Sequence, residues 1–310
     1  MSESELGLWG IPLAMLAGAI RVSTPFIFVS LGECLTERSG RINLGLEGTL
    51  VFGAMSGYAI AVLTGSPWLG VAAAALAGML FGAVHALCCS LPRTNDIAIG
   101  IALMILGTGL AFYFGKPFIQ PVAPDLPAIP LGWWSDSAPV QAALQINVLF
   151  FIGIALAIAM AWMFRSTRFG LTVRVVGDST AAARALGLKP ALVRLTTTAI
   201  GGAFAGIGGA YLSLYYPGSW NEGISSGQGL IAVALVIFAR WQPLYCLGAA
   251  MLFGAAGAIG PALQSVGISS GYYLFYAAPF VLTLGVLIAT SSKTTPLAGA
   301  PGELANSTRH

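Results

Sequence analysis

Long apolar runs alternate with short polar segments along most of this 310-residue chain. Most of the runs hold about 20 residues, which is the length that a helix needs to cross a hydrocarbon core of roughly 30 Å. The predicted spans are residues 9–32, 46–64, 68–91, 97–115, 143–164, 191–214, 228–240, 243–264 and 271–291. Because the run 228–240 is short for a full crossing, we predict about nine spans, within a range of eight to ten. The pattern indicates an all-α polytopic membrane protein.

The composition agrees with a chain that lies mostly in a membrane. Apolar residues make up 57% of it, charged residues make up only 8%, and the mean hydropathy is +0.84. A soluble domain carries about 25% charged residues. We therefore predict a single transmembrane domain over residues 1–292. Because residues 293–310 are rich in Pro, Gly, Ala and Ser, we predict that they form a flexible C-terminal tail.

Lys and Arg residues are concentrated on one side of the predicted spans. If the basic segment 165–190 lies in the cytoplasm, alternation of the spans places twelve Lys and Arg residues on that side and only Lys116 on the other. Cytoplasmic loops of membrane proteins carry an excess of these residues. The distribution predicts that the N-terminus lies outside and the C-terminus inside. It also explains the net positive charge without a nucleic-acid partner.

Pairs of glycines four residues apart occur in three of the predicted spans. The pairs are Gly53/Gly57, Gly78/Gly82 and Gly202/Gly206. Small residues at this spacing let helices approach closely in lipid, where packing rather than exclusion of water holds them together. The pairs predict a compact helical bundle, and they indicate packing rather than a particular function.

Asn43 and Glu47 are polar residues in a glycine-containing stretch at the start of the second predicted span. A broken helix start within a membrane is tolerated where it lines a cavity, so both residues are candidates for the wall of a solute route. The alternative is that Glu47 lies at the inner interface, caps the helix and pairs with Arg38 or Arg41. The sequence leaves both interpretations open.

Asn95 precedes the fourth predicted span, and Gln228 begins the short run 228–240. Each places an amide beside an apolar span, where an unpaired polar group costs free energy unless water, protein or solute meets it. Asn95 is also a typical helix cap. With Asn43 and Glu47, these two residues complete the set of candidate substrate-pathway residues.

The sequence contains no metal-site pattern and no catalytic constellation. HExxH and P-loop motifs are missing, and the four cysteines show no metal-ligand spacing. An ion-coupled carrier would need carboxylates in the middle of the membrane, and Glu47 is the single candidate. We expect a transport subunit rather than an enzyme, with no cofactor and no metal bound by this chain.

Four stretches of the chain, in order, resemble the motifs of one family of membrane proteins. They are GECLTERSGRINLGLEG at 32–48, TNDIAIGIAL at 94–103, GLTVRVVGDSTAAARALG at 170–187 and GQGLIAVALVIFARWQP at 227–243. They resemble permease subunits of bacterial ABC importers in the branched-chain amino acid/simple sugar/nucleoside permease superfamily, and most of all its nucleoside-type branch. Met104, Gln228 and Ala239 stand where that branch often has Asn, Arg and Gly.

The resemblance implies the fold of an ABC importer permease and a set of partners. Two ABC ATPase subunits, which would bind ATP and Mg, are expected beneath the membrane domain. A second permease subunit, identical or paralogous, and an extracytoplasmic solute-binding protein are expected as well. The implied location is the bacterial cytoplasmic (inner) membrane, with lipid around the helices.

The resemblance also implies an activity, which is the import of a small polar solute by alternating access. A nucleoside or related nucleobase compound is favoured as the solute. A branched-chain amino acid or a simple sugar is the alternative, and an ion-coupled secondary transporter is a less favoured class.

The basic segment 165–190 is the expected contact with the ATPase. Asp178 as N-cap, an alanine-rich body and Gly187 at the end predict a short capped helix. The resemblance implies that this helix lies in a groove of the ATPase and transmits its movement. The candidate coupling residues are Arg174, Gly177, Asp178, Ala182, Ala183, Leu186 and Gly187.

Overall fold

A computed structural model describes residues 10–265, 277–279, 281, 284, 285, 288 and 299–307, which are mostly helical. The helices are α1 Gly10–Arg38, α2 Leu46–Thr64, α3 Pro67–Cys88, α4 Asp96–Gly115, α5 Ala138–Ala143, α6 Val148–Ser166, α7 Arg168–Asp178, α8 Thr180–Ala185, α9 Pro190–Leu214, α10 Gln228–Phe238, α11 Pro243–Ser265 and α12 Gly302–Ser307. A 3₁₀ turn, Lys116–Phe118, follows α4, and the strands β1 Ala128–Pro130 and β2 Gln145–Asn147 flank α5.

Seven helices in the described part of the chain are long and apolar enough to cross a membrane: α1, α2, α3, α4, α6, α9 and α11. They correspond to seven of the nine predicted spans, so the all-α polytopic fold is confirmed. The eighth prediction, 228–240, forms the 11-residue helix α10. The ninth, 271–291, lies mostly outside the described residues, and the count of nine is therefore not confirmed.

Helix α9 lies at the centre of the bundle and packs against α1, α2 and α3. The predicted glycine pairs make these contacts possible. A Cβ added at Gly53 of α2 would lie 2.7 Å from the Cα of Gly206 in α9, which is closer than real side chains come. Gly78 of α3 lies against Gly202 in the same way. The interpretation of the pairs as packing surfaces is therefore borne out by the described contacts.

Helix α1 also packs along α11. Phe26 and Phe253 meet edge to face there, with ring centroids 4.8 Å apart. Nearby, Ser23 donates from its hydroxyl to the Sδ of Met251 over 3.2 Å. These contacts join the middle of α11 to the middle of α1.

The bundle has two ends, which we name the Arg38 end and the Thr64 end after the last residues of α1 and α2. The segment between α4 and α6 folds over the Thr64 end, where the Tyr58 hydroxyl donates to the carbonyl of Pro121 over 2.8 Å. Strands β1 and β2 pair there in antiparallel fashion. Trp133 and Trp134, in the same segment, are exposed.

Helix α10 spans only about half of the bundle. The chain leaves α9 at the Thr64 end, returns as an irregular segment over residues 215–227, and begins α10 beside Glu47. Eleven residues of α-helix rise roughly 16 Å, against a hydrocarbon core of about 30 Å. The carbonyl of Trp241, just after α10, accepts a hydrogen bond from Nε of Arg38 over 2.8 Å. Helix α10 therefore runs from the interior of the bundle to the Arg38 end.

The α2–α9 contact predicts which glycines tolerate a side chain. Gly53→Val should lower the thermal unfolding midpoint, because the new atoms meet the α9 backbone and overpacking costs about 1–3 kcal/mol. Gly109→Val, in α4, is the control, because nothing lies within 4 Å of its added Cβ. The check is thermal unfolding of both variants in the same detergent. Equal midpoints for the two would contradict the close approach of α2 and α9.

Candidate functional site

Glu47 holds the beginning of α10. Its Oε1 accepts from the Ser225 hydroxyl over 2.6 Å and from the amide of Gly227 over 3.0 Å, and its Oε2 accepts from the amide of Gly229 over 2.6 Å. The first amides of a helix have no partner within the helix, and the helix dipole favours a negative charge at that position. The buried carboxylate of Glu47 meets both requirements from a neighbouring helix.

Arg38 and Arg41 do not pair with Glu47, so the ion pair in that alternative is wrong, whereas Glu47 does cap a helix start. Arg41 instead forms an ion pair with Asp96, with 2.5 Å between Nη1 and Oδ1, and donates from Nη2 to the carbonyl of Cys89 over 2.5 Å. Arg38 donates a hydrogen bond from Nε to the carbonyl of Trp241. Arg41 therefore holds the α3–α4 connection, and Arg38 holds the end of α10. Glu47 accepts hydrogen bonds from the amides at the start of α10.

Asn43 lies in the non-helical segment before α2 and holds that segment in place by hydrogen bonds. Its backbone amide donates to Oε1 of Glu33 in α1 over 2.8 Å, and its side-chain Oδ1 accepts from the backbone amide of Gly45 over 3.0 Å. The residue is fully buried. Asn43 therefore anchors the wall behind Glu47.

Gln228 is the first residue of α10 and is half-buried. Its Oε1 is buried without a hydrogen-bond partner among the described residues, and so is Nε1 of Trp220 in the segment before it. A buried polar atom without a partner costs free energy unless water or a solute meets it. The segment that crosses half of the bundle thus carries one unpaired acceptor and one unpaired donor.

Asn95 lies apart from the other three pathway candidates. Its Oδ1 accepts from the amides of Ile97 over 2.8 Å and Ala98 over 3.2 Å, which caps the start of α4, and its side chain is exposed. The structure therefore brings Glu47 and Gln228 together at α10, places Asn43 just behind Glu47, and shows Asn95 as a helix cap.

The segment 165–190 folds into two helices, α7 and α8, where one short helix was predicted. The N-cap of α8 is Ser179, whose Oγ accepts from the amide of Ala182 over 3.2 Å. The prediction of Asp178 as the cap is wrong, because Asp178 is the last residue of α7 and a cap needs a non-helical backbone. Gly187 ends the unit with a φ of +74°, as predicted for a terminal glycine.

The seven predicted coupling residues divide into two groups. The exposed ones are Asp178, Ala182, Leu186 and Gly187, and the more enclosed ones are Arg174, Gly177 and Ala183. Gly177 packs directly on the carbonyl of Arg38 in α1. The exposed group forms a surface at the Arg38 end, whereas the enclosed group attaches α7 and α8 to the bundle.

Helix α12 holds α8 in place, which the sequence did not predict. Oε1 of Glu303 accepts from the amide of Thr180 over 2.9 Å, and its Oε2 lies 3.4 Å from Nη2 of Arg194 in α9. Arg194 also donates to the Thr180 hydroxyl over 2.9 Å and to the carbonyl of Ser39 over 3.1 Å. The feature of the sequence that could have indicated this contact is that Glu303 is the single acidic residue of the segment 293–310.

The charge of Glu303 is stabilised by these contacts. Burial by itself would raise its pKa, but the hydrogen bonds from Thr180 and the positive charge of Arg194 outweigh that effect and lower the pKa below its ordinary value. Glu303 is therefore charged at neutral pH, and α12 joins α8 and α9 at the Arg38 end.

Known proteins resemble this chain over most of its length. The sequence profile of the family described as "Branched-chain amino acid transport system / permease component" matches residues 15–288. A guanosine ABC transporter permease protein of Bacillus subtilis is 31% identical over 84% of the chain and 87% of its own length. A nucleoside ABC transporter permease protein of Lactococcus lactis subsp. cremoris is 29% identical over 88% and 90%. A Haloferax volcanii protein provisionally named a glucose ABC transporter permease is 33% identical over 82% and 79%.

The lowered pKa of Glu303 predicts a pH-dependent contribution to stability. The contribution is complete above the ordinary Glu pKa of about 4.3 and is lost as the pH falls through the lowered value. Glu303→Gln should therefore lower the thermal midpoint at pH 7 and have a smaller effect at pH 3. Glu222→Gln, at an exposed position, is the control. A difference for Glu303→Gln that stays constant between pH 7 and pH 3 would refute the ionic contact.

Proposed function

This chain belongs to the family of branched-chain amino acid transport system permease components, and on that premise we propose that it is the membrane subunit of an ATP-driven importer for a small polar solute. The observation that carries the proposal is the interrupted crossing made by residues 215–227 and α10. Irregular backbone at membrane depth is tolerated where it is buried in protein or lines a water-filled cavity, and such segments build the solute sites of many transporters.

Helix α10 is connected to the surface that would meet the ATPase. Gly177 of α7 packs on the carbonyl of Arg38, and Arg38 holds Trp241 at the end of α10. At its other end, α10 is held by Glu47. A movement of α7 and α8 would therefore displace α10 along its axis or tilt it about Glu47. Such a displacement is the expected form of alternating access in this chain.

A nucleoside or a related nucleobase compound is the favoured solute. The names of two relatives give nucleoside and guanosine as their solutes. The unpaired Oε1 of Gln228 and Nε1 of Trp220 offer one acceptor and one donor, and a nucleobase carries both kinds of group on a flat ring that suits an aromatic neighbour.

A simple sugar is the second candidate. The relative with the provisional glucose name is as similar to this chain as the two nucleoside permeases are. Sugar hydroxyls donate and accept, so they would also satisfy Gln228 and Trp220. The family description includes branched-chain amino acids, which form a third solute class.

The partners follow from the same proposal. Two ATPase subunits, which bind ATP and Mg, would contact the surface of Asp178, Ala182, Leu186 and Gly187. A solute-binding protein would dock at the opposite Thr64 end, and a second permease subunit, identical or paralogous, would complete the translocation route. The protein would reside in the bacterial inner membrane.

The proposal assigns the Arg38 end to the cytoplasm. Arg165, Arg174, Arg184 and Arg240 all lie in segments at that end, in agreement with the positive-inside rule. We expect a reporter that fluoresces only in the cytoplasm to be bright when it follows residue 310 and dark when it is inserted after Asp136, in the segment over the Thr64 end. The reverse pattern would overturn this orientation.

The proposed ATPase contact surface predicts that shortening the exposed Leu186 side chain weakens uptake. Leu186→Ala should reduce ATP-driven uptake about tenfold, because a 68% exposed Leu would be buried by the ATPase and lost hydrophobic contact weakens docking. Leu171→Ala, at a 54% exposed Leu on α7 outside the predicted contact, is the matched control. The measurement is uptake together with co-purification of the ATPase. Full uptake by the Leu186 variant would argue against this contact surface.

The pathway proposal predicts the effect of removing the Gln228 amide. Gln228→Ala should weaken uptake of the transported solute about tenfold, because one hydrogen bond to solute is lost, with membrane abundance unchanged. Asn95→Ser, which keeps a capping oxygen, should leave uptake unchanged. Uptake of labelled nucleosides and of glucose by the assembled importer, with and without ATP, decides between the solutes. Uptake that does not require ATP would contradict the proposal that the chain is part of an ATP-driven importer.

A further inference from the structure

A basic cavity opens at the Arg38 end, on the side of the bundle formed by α6 and α11. Its volume is about 240 Å³. Three arginines from three different helices line it, namely Arg38 of α1, Arg165 of α6 and Arg174 of α7. Phe164, Gln242 and Tyr245 complete the polar and aromatic part of the wall. None of the described residues that line the cavity is acidic.

Arg174 carries an unsatisfied buried donor beside this cavity. Its Nε is buried and has no hydrogen-bond partner in the described part of the chain. A buried guanidinium donor without a partner is costly, and a charged group raises that cost further. Arg38 is partly satisfied by the carbonyl of Trp241, and its guanidinium also lies 5.9 Å from the centre of the Phe164 ring.

The beginning of α11 adds a second attraction for an anion. Pro243, Leu244 and Tyr245, the first residues of this 23-residue helix, are part of the cavity wall. The first amides of a helix have no partner within the helix and carry its positive partial charge. Three arginines and the first turn of a helix therefore line one cavity, which is an arrangement suited to a phosphate group.

The surroundings favour a lipid as the source of the phosphate. Helices α6 and α11 expose large apolar side chains along their outer faces, including Ile158 and Leu252. Trp162, three residues before Arg165 on α6, is 62% exposed, and Tyr245 is 57% exposed. Aromatic side chains of this kind lie at the membrane–water interface. The cavity thus lies where a helix face suited to acyl chains meets a cluster of arginines.

We infer that this cavity binds the phosphate headgroup of an anionic phospholipid, with the acyl chains lying along α6 and α11. The bound headgroup joins α7, which carries the coupling surface, to α1 and α11. The inference goes beyond the transported solute and its route, and it requires only that the chain lies in a membrane.

The test measures lipid-dependent stability of the full-length chain and of the assembled importer in detergent. Thermal midpoints are followed while phosphatidylglycerol, phosphatidylcholine or inorganic phosphate is added. Phosphatidylglycerol should raise the midpoint at a concentration at which phosphatidylcholine does not. Arg174→Gln should raise the half-maximal phosphatidylglycerol concentration about tenfold, which corresponds to one charge-assisted hydrogen bond.

Two further variants keep the result decisive. Arg165→Gln, at an exposed position that the fold does not need, should weaken the lipid effect even if Arg174→Gln fails to fold. Arg168→Gln is also exposed but does not line the cavity, and it should leave the lipid effect unchanged.

Four outcomes would overturn the inference. The first is an equal response to the two lipids, and the second is an equal loss in the Arg165 and Arg168 variants. The third is a lipid preference that disappears in the assembled importer, because a protein partner would then cover the cavity. A full response to inorganic phosphate alone would keep the anion site but assign it to the free ion, which contradicts a lipid headgroup.

Discussion

The hydrogen bonds from the α10 N-terminus to Glu47 are the interaction on which the rest of this structure depends. A helix that begins inside a membrane protein presents amides that water cannot reach. Glu47 accepts from two of these amides and from Ser225 with both oxygens of one carboxylate. Without this acceptor, α10 would have to begin at a membrane surface, and the interrupted crossing would be lost.

The close packing around the central helix α9 determines which helices contact α10. Glycines on α2, α3 and α9 bring these three helices so close that little space remains between them. The compact α2–α3–α9 group leaves α10 packed mainly on α1, α2 and α11. At the Arg38 end, Arg194 and Glu303 join α9 and α12 to α8 and to the loop before α2. A rigid group of helices, a short helix held at both ends and an exposed surface attached to one of those ends are the parts that the proposed ATP-driven movement requires.

Much of the fold could be predicted from the sequence, because length and hydropathy specify helices in a membrane. Seven predicted spans became long helices, and the glycine pairs became the packing surfaces that their spacing indicated. The shortness of 228–240 correctly marked α10 as unusual. The role of Glu47 was left open between the wall of a solute route and a helix cap paired with Arg38 or Arg41. Its contacts with residues 225–229, far away in the sequence, appear only in three dimensions.

Other parts of the site depended on contacts that composition does not specify. Asp178 and Ser179 are both good caps, and the choice between them depends on where α7 ends. The contact of Glu303 with Thr180 and Arg194 joins three distant segments, and the composition around Glu303 is typical of a flexible tail. Gln228 was selected for its position before an apolar run, and its unpaired Oε1 supports that choice without identifying the solute.

A double-mutant cycle between Glu47 and Ser225 tests the central claim most directly. The unfolding free energies of the wild type, Glu47→Gln, Ser225→Ala and the double variant are compared in one detergent. If Glu47 holds the start of α10, Ser225→Ala should cost about 1.5–3 kcal/mol in the wild type and much less in the Glu47→Gln background, giving a coupling energy above about 1 kcal/mol. Additive effects, within about 0.5 kcal/mol, would contradict the account.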